Sequence, residues 1–148
     1  GQTKFLIKQV SGSTNVGIGT TSPTAKLDVA GAIKGGGKVT YTKSYGSLDT
    51  TGQAVAGLTA GNNGNTAGFI FTCFGGGGYQ KIVYSCKNAA GTWDCDKDID
   101  EGTNSFDVVA SANSTTITFT FKARSATQWY SPRVTVEAFG VSINTTYF

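Results

Sequence analysis

The chain has 148 residues, enough for one domain or for one domain with a short appendage. It contains 21 Gly, 2 Pro and no Met, a composition that favours short β-strands and tight turns over helices. The net charge of +3 is small and scattered, which argues against nucleic-acid binding. No apolar run approaches the roughly 20 residues that cross a bilayer, so membrane insertion is not expected.

The N-terminal segment, residues 1–37, contains short apolar pieces separated by Ser, Gly, Thr and Pro. No such piece can bury itself, because ordering each backbone residue costs about 1 to 2 kcal/mol. We therefore expect its apolar side chains to find partners in other copies of the chain, three of which would bury one face toward a common axis. The predicted trimer interface consists of Val16, Ile18, Leu27, Val29 and Ile33.

The run NVGIGTTSPTAKLDVAGAIK, which begins at Asn15, resembles the N-V-G-I-G-T-x-x-P-x-x-K-L-x-V-x-G motif of trimeric fibre proteins. This motif occurs in bacteriophage tail fibres and in the surface fibre adhesins of predatory bacteria such as Bdellovibrio. The resemblance implies a shaft or collar over residues 1–37, followed by a head over residues 38–148 that contacts a target surface. It also implies a cell-surface or extracellular fibre, or alternatively a virion tail fibre. An ordinary edge hairpin in a monomer is the other interpretation of residues 15–37.

The remainder of the chain shows the alternation of half-buried β-strands. In TTITFTFKAR the residues Ile117, Phe119 and Phe121 face one way while the intervening Thr residues face the other. The runs KVTYTKSY and SFDVVAS alternate in the same manner. In RVTVEAFGVSI the apolar phase shifts at Ala138, which predicts either a bulge there or cover on both faces. We therefore expect an all-β fold with an antiparallel β-sandwich head of the jelly-roll type.

All three cysteines lie in the segment GFIFTCFGGGGYQKIVYSCKNAAGTWDCDKDIDEG, which predicts two successive hairpins. A turn at residues 75–78 would pair Phe71 with Ile82. A second turn at residues 90–91 would make four more cross-strand pairs at once, and a slip by one residue would break all of them. These pairs are Ile82 with Ile99, Cys86 with Cys95, Lys81 with Asp100, and Lys87 with Asp94.

This register predicts the roles of the cysteines and of the acidic run. Cys86 and Cys95 are the predicted disulfide pair, oxidised in an exported fibre but reduced in a protein that assembles in the cytosol. Cys73 is expected to be a buried apolar residue and not a nucleophile, because the chain has no His to activate its thiol. The predicted solvent face of the last strand carries Asp94, Asp96, Asp98 and Asp100.

The acidic run does not make a convincing metal or catalytic site. Asp96, Asp98, Asp100 and Asp107 match the ligand spacing of an EF-hand calcium loop, but Glu101 stands where that loop needs Gly. The absence of His removes the commonest general base, and the remaining carboxylates lie in no catalytic motif. We therefore predict no enzyme activity, no catalytic residue, no metal and no cofactor.

Aromatic residues near Arg suggest a binding function instead. Exposed aromatic rings offer flat apolar faces to sugar rings, and Arg supplies directed hydrogen bonds. The alternative is that these rings plug the core or a subunit boundary. The predicted ligand-binding residues are Trp129, Tyr130, Arg133 and Arg124 in RSATQWYSPR, with Trp93 as a second aromatic site.

The residues and the resemblance together predict the tip of a homotrimeric fibre that adheres to a target cell. The expected partner is a surface glycan or polysaccharide, and three identical sites on one head would raise the overall avidity. The alternative function is a structural trimerisation cap that ends the fibre and binds no ligand.

Overall fold

The computed structural model describes residues 6–10, 13–31, 33–35, 37–59, 64–113, 116–125 and 129–140. The fold is all-β, as predicted, and these ranges contain no helix. Within the same residues, no helix is long and apolar enough to cross a membrane. The chain forms two compact units, Gly1–Ile33 and Lys34–Phe148.

The strands of the first unit have three to six residues, whereas most strands of the second unit have six to twelve. The strands of the described residues are β1 (Leu6–Val10), β2 (Ser13–Ile18), β3 (Leu27–Val29), β4 (Ile33–Gly35), β5 (Lys38–Ser44), β6 (Ser47–Leu48), β7 (Gln53–Leu58), β8 (Thr66–Gly75), β9 (Gly78–Ala89), β10 (Thr92–Gly102), β11 (Phe106–Asn113), β12 (Thr116–Ala123), β13 (Trp129–Tyr130) and β14 (Arg133–Gly140).

The first unit contains a sheet of strand order β1–β2–β3. Strands β1 and β2 are antiparallel, whereas β2 and β3 are parallel, with Val16 opposite Leu27. The connection between β2 and β3 is held by Asp28, whose carboxylate accepts hydrogen bonds from the amide and the hydroxyl of Thr24 at 2.8 and 3.1 Å. A Cβ atom at Gly17 would lie 2.8 Å from the carbonyl oxygen of Thr20, so this connection requires glycine there.

The second unit contains a six-stranded sheet of order β10–β9–β8–β14–β5–β4 and a three-stranded sheet of order β11–β12–β7. The inner faces of the two sheets pack against each other, as in a β-sandwich. The ring of Phe119 from β12 lies between three rings of the opposite sheet, with centroid distances of 4.5 Å to Phe69, 5.3 Å to Phe71 and 5.1 Å to Tyr84. This aromatic contact is the centre of the core.

The predicted inward positions of the strands are confirmed. Ile117, Phe119 and Phe121 are buried, and the register of β12 against β11 and β7 places them on the inner face. Strand β14 continues through Ala138 without a bulge, so that alternative is wrong; Phe139 lies on the outer face and is 37% exposed. The remainder of the predicted phase shift lies at residues 141–143, outside the described residues.

The two hairpins differ in how well the sequence predicts them. Phe71 lies opposite Ile82, as predicted, and the turn of this hairpin is at residues 76–77. In the second hairpin, two of the four predicted cross-strand pairs are correct: Cys86 with Cys95 and Lys87 with Asp94.

The other two predicted pairs, Ile82–Ile99 and Lys81–Asp100, are wrong. A β-bulge between Lys97 and Ile99 inserts one extra residue, so Asp100 lies opposite Ile82 and Glu101 opposite Lys81. Because side chains alternate along a strand, the extra residue moves Asp100 from the predicted solvent face to the side of Ile82 and of the opposing sheet.

Replacing Phe119 with Ala should lower the free energy of unfolding by about 3 to 5 kcal/mol, because the change leaves a cavity between the two sheets. Phe139→Ala removes the same ring from an exposed position and should cost less than about 1 kcal/mol. Urea unfolding followed by tryptophan fluorescence measures both. Equal losses for the two variants would contradict the central position of Phe119.

Candidate functional site

Four charged side chains form a compact group where β10, β11 and the end of β12 meet; we call Lys97, Asp100, Asp107 and Arg124 the charged cluster. Lys97 Nζ lies 2.6 Å from Asp107 and 3.2 Å from Asp100. The guanidinium of Arg124 contacts Asp100 and lies 3.6 Å from Asp107. Each cation therefore contacts both carboxylates, and each of the four side chains keeps between 19% and 28% of its surface exposed.

Arg124, a predicted ligand-binding residue, is held within this cluster. Besides the two carboxylates, its Nε donates a hydrogen bond to the carbonyl oxygen of Phe106 and its Nη1 donates to Asn104 Oδ1, each at 2.6 Å. Because these partners surround the guanidinium, its position is explained by the contacts that join the strand ends. A contact between Arg124 and a glycan stays a prediction.

The charged cluster shifts the pKa values of its members. Burial by itself would raise the pKa of Asp100, but hydrogen bonds from Arg124, Lys97 and Gln80 outweigh it and lower the pKa below the ordinary 3.8. Burial would likewise lower the pKa of Lys97, but hydrogen bonds to Asp107 and Asp100 raise it above 10.5. Both shifts favour the ionised forms.

The EF-hand-like carboxylates do not converge in this structure. Asp100 and Asp107 belong to the charged cluster, whereas Asp98 accepts a hydrogen bond from the hydroxyl of Ser85 on the neighbouring strand. Asp96 is exposed. Among the described residues, no group of three or more His, Cys, Asp or Glu side chains could hold a metal ion.

Trp93, the second predicted aromatic site, has the buried environment of the alternative interpretation, in which the ring plugs the core. The residue is 3% exposed, and its indole N–H donates a hydrogen bond to the carbonyl oxygen of Thr59 at 2.8 Å. Trp93 packs on the inner side of the second hairpin because it lies in phase with the buried residues of β9 and β10. Its ring face is therefore not available to a sugar.

The other predicted aromatic residues, Trp129 and Tyr130, form strand β13, which pairs with β6. Their side chains lie outside the described residues, so their contact with a ligand stays a prediction. Arg133 follows at the start of β14, where it is exposed. Arg133 is thus a predicted ligand-binding residue whose described side chain lies on the outer face of the six-stranded sheet.

Arg133 has two aromatic neighbours that the sequence interpretation missed. Phe74 lies directly opposite Arg133, with the guanidinium carbon 5.9 Å from the ring centroid, and Tyr79 lies opposite Phe74 on β9. Phe74 is 42% exposed and Tyr79 is 55% exposed. We call Arg133, Phe74 and Tyr79 the Arg133 patch. The signal was present in CFGGGGY, where these two rings flank the turn in the outward phase.

A groove of about 440 Å³ lies elsewhere on the outer face of the six-stranded sheet; we call it the Gly68 groove. Four of its residues lie side by side across β14, β8, β9 and β10, in the order Phe139, Gly68, Ser85 and Asp96. Lys87 lines the groove two residues after Ser85. The groove volume falls in the range of small-molecule sites, which is about 300 to 1,000 Å³.

The groove has an aromatic side and an acidic side. Phe139 exposes its ring, over which Lys38 Nζ lies at 5.2 Å from the centroid. Asp96 pairs with Ser85 through the backbone ladder, and its exposed carboxylate has no hydrogen-bond or ion-pair partner among the side chains of the described residues. Ser85 uses its hydroxyl proton on Asp98 and keeps its oxygen as an acceptor.

The three cysteines and Glu137 are each buried, bonded or paired within the fold. Cys86 and Cys95 form a disulfide between β9 and β10. Cys73 is a free, fully buried thiol, as expected, and burial raises its pKa to about 12, which disfavours the nucleophilic thiolate. Glu137 forms an ion pair with Lys38 at 2.5 Å, which joins the neighbouring strands β14 and β5.

Comparison of the chain with protein-family models, curated proteins and solved structures found no match. A β-sandwich fold hosts many unrelated functions, so the fold by itself does not identify one. The features of this chain that bear on function are the fibre-like segment and the two exposed sites of the six-stranded sheet.

Replacing Asp100 with Asn should lower the free energy of unfolding at pH 7 by about 1 to 3 kcal/mol, because its charge-assisted hydrogen bonds are lost. Since folding lowers the pKa of Asp100, its stabilisation is present above the ordinary value of 3.8 and is lost as the pH falls through the lowered value. The variant should therefore lose less stability than the parent when the pH is lowered toward 2.

The matched control is Asp94→Asn, which breaks the exposed pair with Lys87 at 3.7 Å and should change stability little. Urea titrations between pH 2 and 7 give the comparison. An unchanged acid profile in Asp100→Asn would contradict the stabilising role of the charged cluster.

Proposed function

We propose that the chain is the tip of a homotrimeric fibre that adheres to a target cell surface by recognising a glycan. One observation carries the trimeric part: the segment that resembles the fibre motif leaves large apolar side chains in water. Ile18, Leu27 and Ile33 are 40%, 58% and 57% exposed in the single chain. Fully burying a side chain of this size is worth about 1.5 to 3 kcal/mol, so association would be favourable.

The remaining residues of the predicted interface fit the same proposal. Val16 and Val29 are half-buried in the single chain, and Val29 pairs with Ile18 across the parallel strands β2 and β3. Apolar exposure in a strand pair of this length is unfavourable for an isolated chain. A second and a third copy supply the missing cover.

The adhesion part of the proposal is supported by the Arg133 patch. Its two aromatic rings supply apolar area, and its guanidinium supplies several hydrogen-bond donors in a fixed plane. A single site of this kind binds weakly, but three copies on one head multiply the effective concentration. The Cys86–Cys95 disulfide fits a protein exported to a cell surface, and a virion tail fibre is the alternative location.

The trimer is tested by the solution mass. Light scattering at micromolar concentration should give about three times the chain mass of 15.3 kDa. Leu27→Asp places a charge on the proposed interface and should dissociate the particle, whereas Thr21→Asp, at an exposed polar position of the same segment, should not. A folded particle of one chain mass in the parent protein would refute the trimeric fibre.

Adhesion is tested on a glycan array with the trimeric protein. Arg133→Ala should reduce the glycan signal at least about tenfold, because a directed charged hydrogen bond is lost. Lys81→Ala removes an exposed positive charge from the same sheet face and should leave the signal unchanged. A stable trimer that binds no glycan would favour the structural trimerisation cap instead.

A further inference from the structure

We propose that the Gly68 groove is a separate binding subsite for a neutral sugar ring that presents two adjacent hydroxyl groups. This inference rests on the proposed function, since it assigns a sugar class to a second site on the same head. The groove and the Arg133 patch are distinct: Arg133 and Phe139 are six residues apart on β14, a distance of about 20 Å along an extended strand.

The dimensions of the groove suit one sugar ring. Neighbouring strands lie about 4.8 Å apart, so the backbones at Phe139 and Asp96 are separated by about 14 Å across the row. Between them lie Gly68, which has no side chain, and Ser85, which has a short one. The space above these two residues is bounded by the aromatic ring on one side and the carboxylate on the other.

The glycine on the floor of the groove has no structural explanation. Gly68 lies inside β8 with ordinary strand geometry, and a Cβ atom placed there would touch only the carbonyl oxygen of Tyr84, at 3.8 Å. Glycine in a strand interior weakens the strand, so the position costs stability without relieving a clash. Glycine in a strand also marks sites where a ligand approaches the backbone closely, and a ligand in the groove explains it.

The chemistry of the two sides selects the ligand class. The exposed ring of Phe139 provides an apolar surface for the C–H face of a sugar. The carboxylate of Asp96, which has no side-chain partner among the residues that the structure describes, can accept a hydrogen bond at each oxygen, and this matches two adjacent hydroxyl groups. The negative charge of Asp96 disfavours an acidic sugar, and the two cations near the groove each have an acidic partner, Lys38 with Glu137 at 2.5 Å and Lys87 with Asp94 at 3.7 Å. A neutral hexose is therefore the favoured ligand.

The test uses neutral methyl hexopyranosides with the trimeric protein, with methyl glucuronide as the acidic comparison. Saturation-transfer NMR and amide shifts should report binding of a neutral hexoside at Gly68 and Ser85, and weaker binding of the glucuronide. Phe139→Ala and Asp96→Asn should each weaken binding at least about tenfold. Glu101→Gln changes another exposed carboxylate of β10 and should leave the affinity unchanged.

A third variant, Gly68→Val, fills the groove without removing any ligand group and should abolish hexoside binding. Valine favours strand geometry, so this variant should be at least as stable as the parent. If it fails to fold, Phe139→Ala and Asp96→Asn still decide the question, because both residues are exposed.

The outcomes separate this inference from the proposed function. A trimer that binds cell-surface glycans while no hexoside perturbs the groove, or while all three variants bind as the parent does, overturns the Gly68 subsite alone. A monomeric parent protein would overturn the fibre tip. If that monomer binds a hexoside and the three variants do not, the result would still support the groove as a binding subsite.

Discussion

The packing of Phe119 against Phe69, Phe71 and Tyr84 is the contact on which the described head depends. These rings determine which face of each strand points inward, and strict alternation then determines what the outer face presents. Because Phe69 is buried, its neighbour Gly68 lies on the outer face of β8. The groove is thus a consequence of the core, since its residues occupy the positions that the aromatic packing turns outward.

The bulge at Asp98 divides the acidic strand into two electrostatic environments. After the bulge, Asp100 turns toward the opposing sheet, where Arg124 and Lys97 neutralise it. Before the bulge, Asp96 stays on the outer face without a side-chain partner among the described residues. One inserted residue therefore separates a carboxylate that stabilises the fold from one that is available to a ligand. Burying both would leave the groove without its acceptor.

Exposed apolar side chains occur in two settings that suit different roles. In the fibre-like segment, Ile18 and Leu27 lie on short strands and are 40% and 58% exposed, which favours cover by identical chains. On the six-stranded sheet, Phe74 and Phe139 each have a cationic neighbour, Arg133 and Lys38 respectively. An aromatic ring beside a polar group is better suited to a sugar, which presents both C–H and hydroxyl surfaces. The proposed association and the proposed recognition thus rely on separate residues.

The sequence by itself determined the all-β fold, the buried phase of β12 and the register of the first hairpin, because local alternation carries that information. The sequence did not reveal the bulge at Asp98. The Asp residues on both sides of it alternate with other residues, and this pattern fits a strand with or without one extra residue. The outward phase of Phe74 and Tyr79 could be read from CFGGGGY, because both rings alternate with buried neighbours. Only the tertiary structure decided that Trp93 is internal and that Arg133 lies beside Phe74, since both depend on strands that are distant in the sequence. The groove required four strands to meet in register, and no local pattern encodes contacts between residues so distant in the chain.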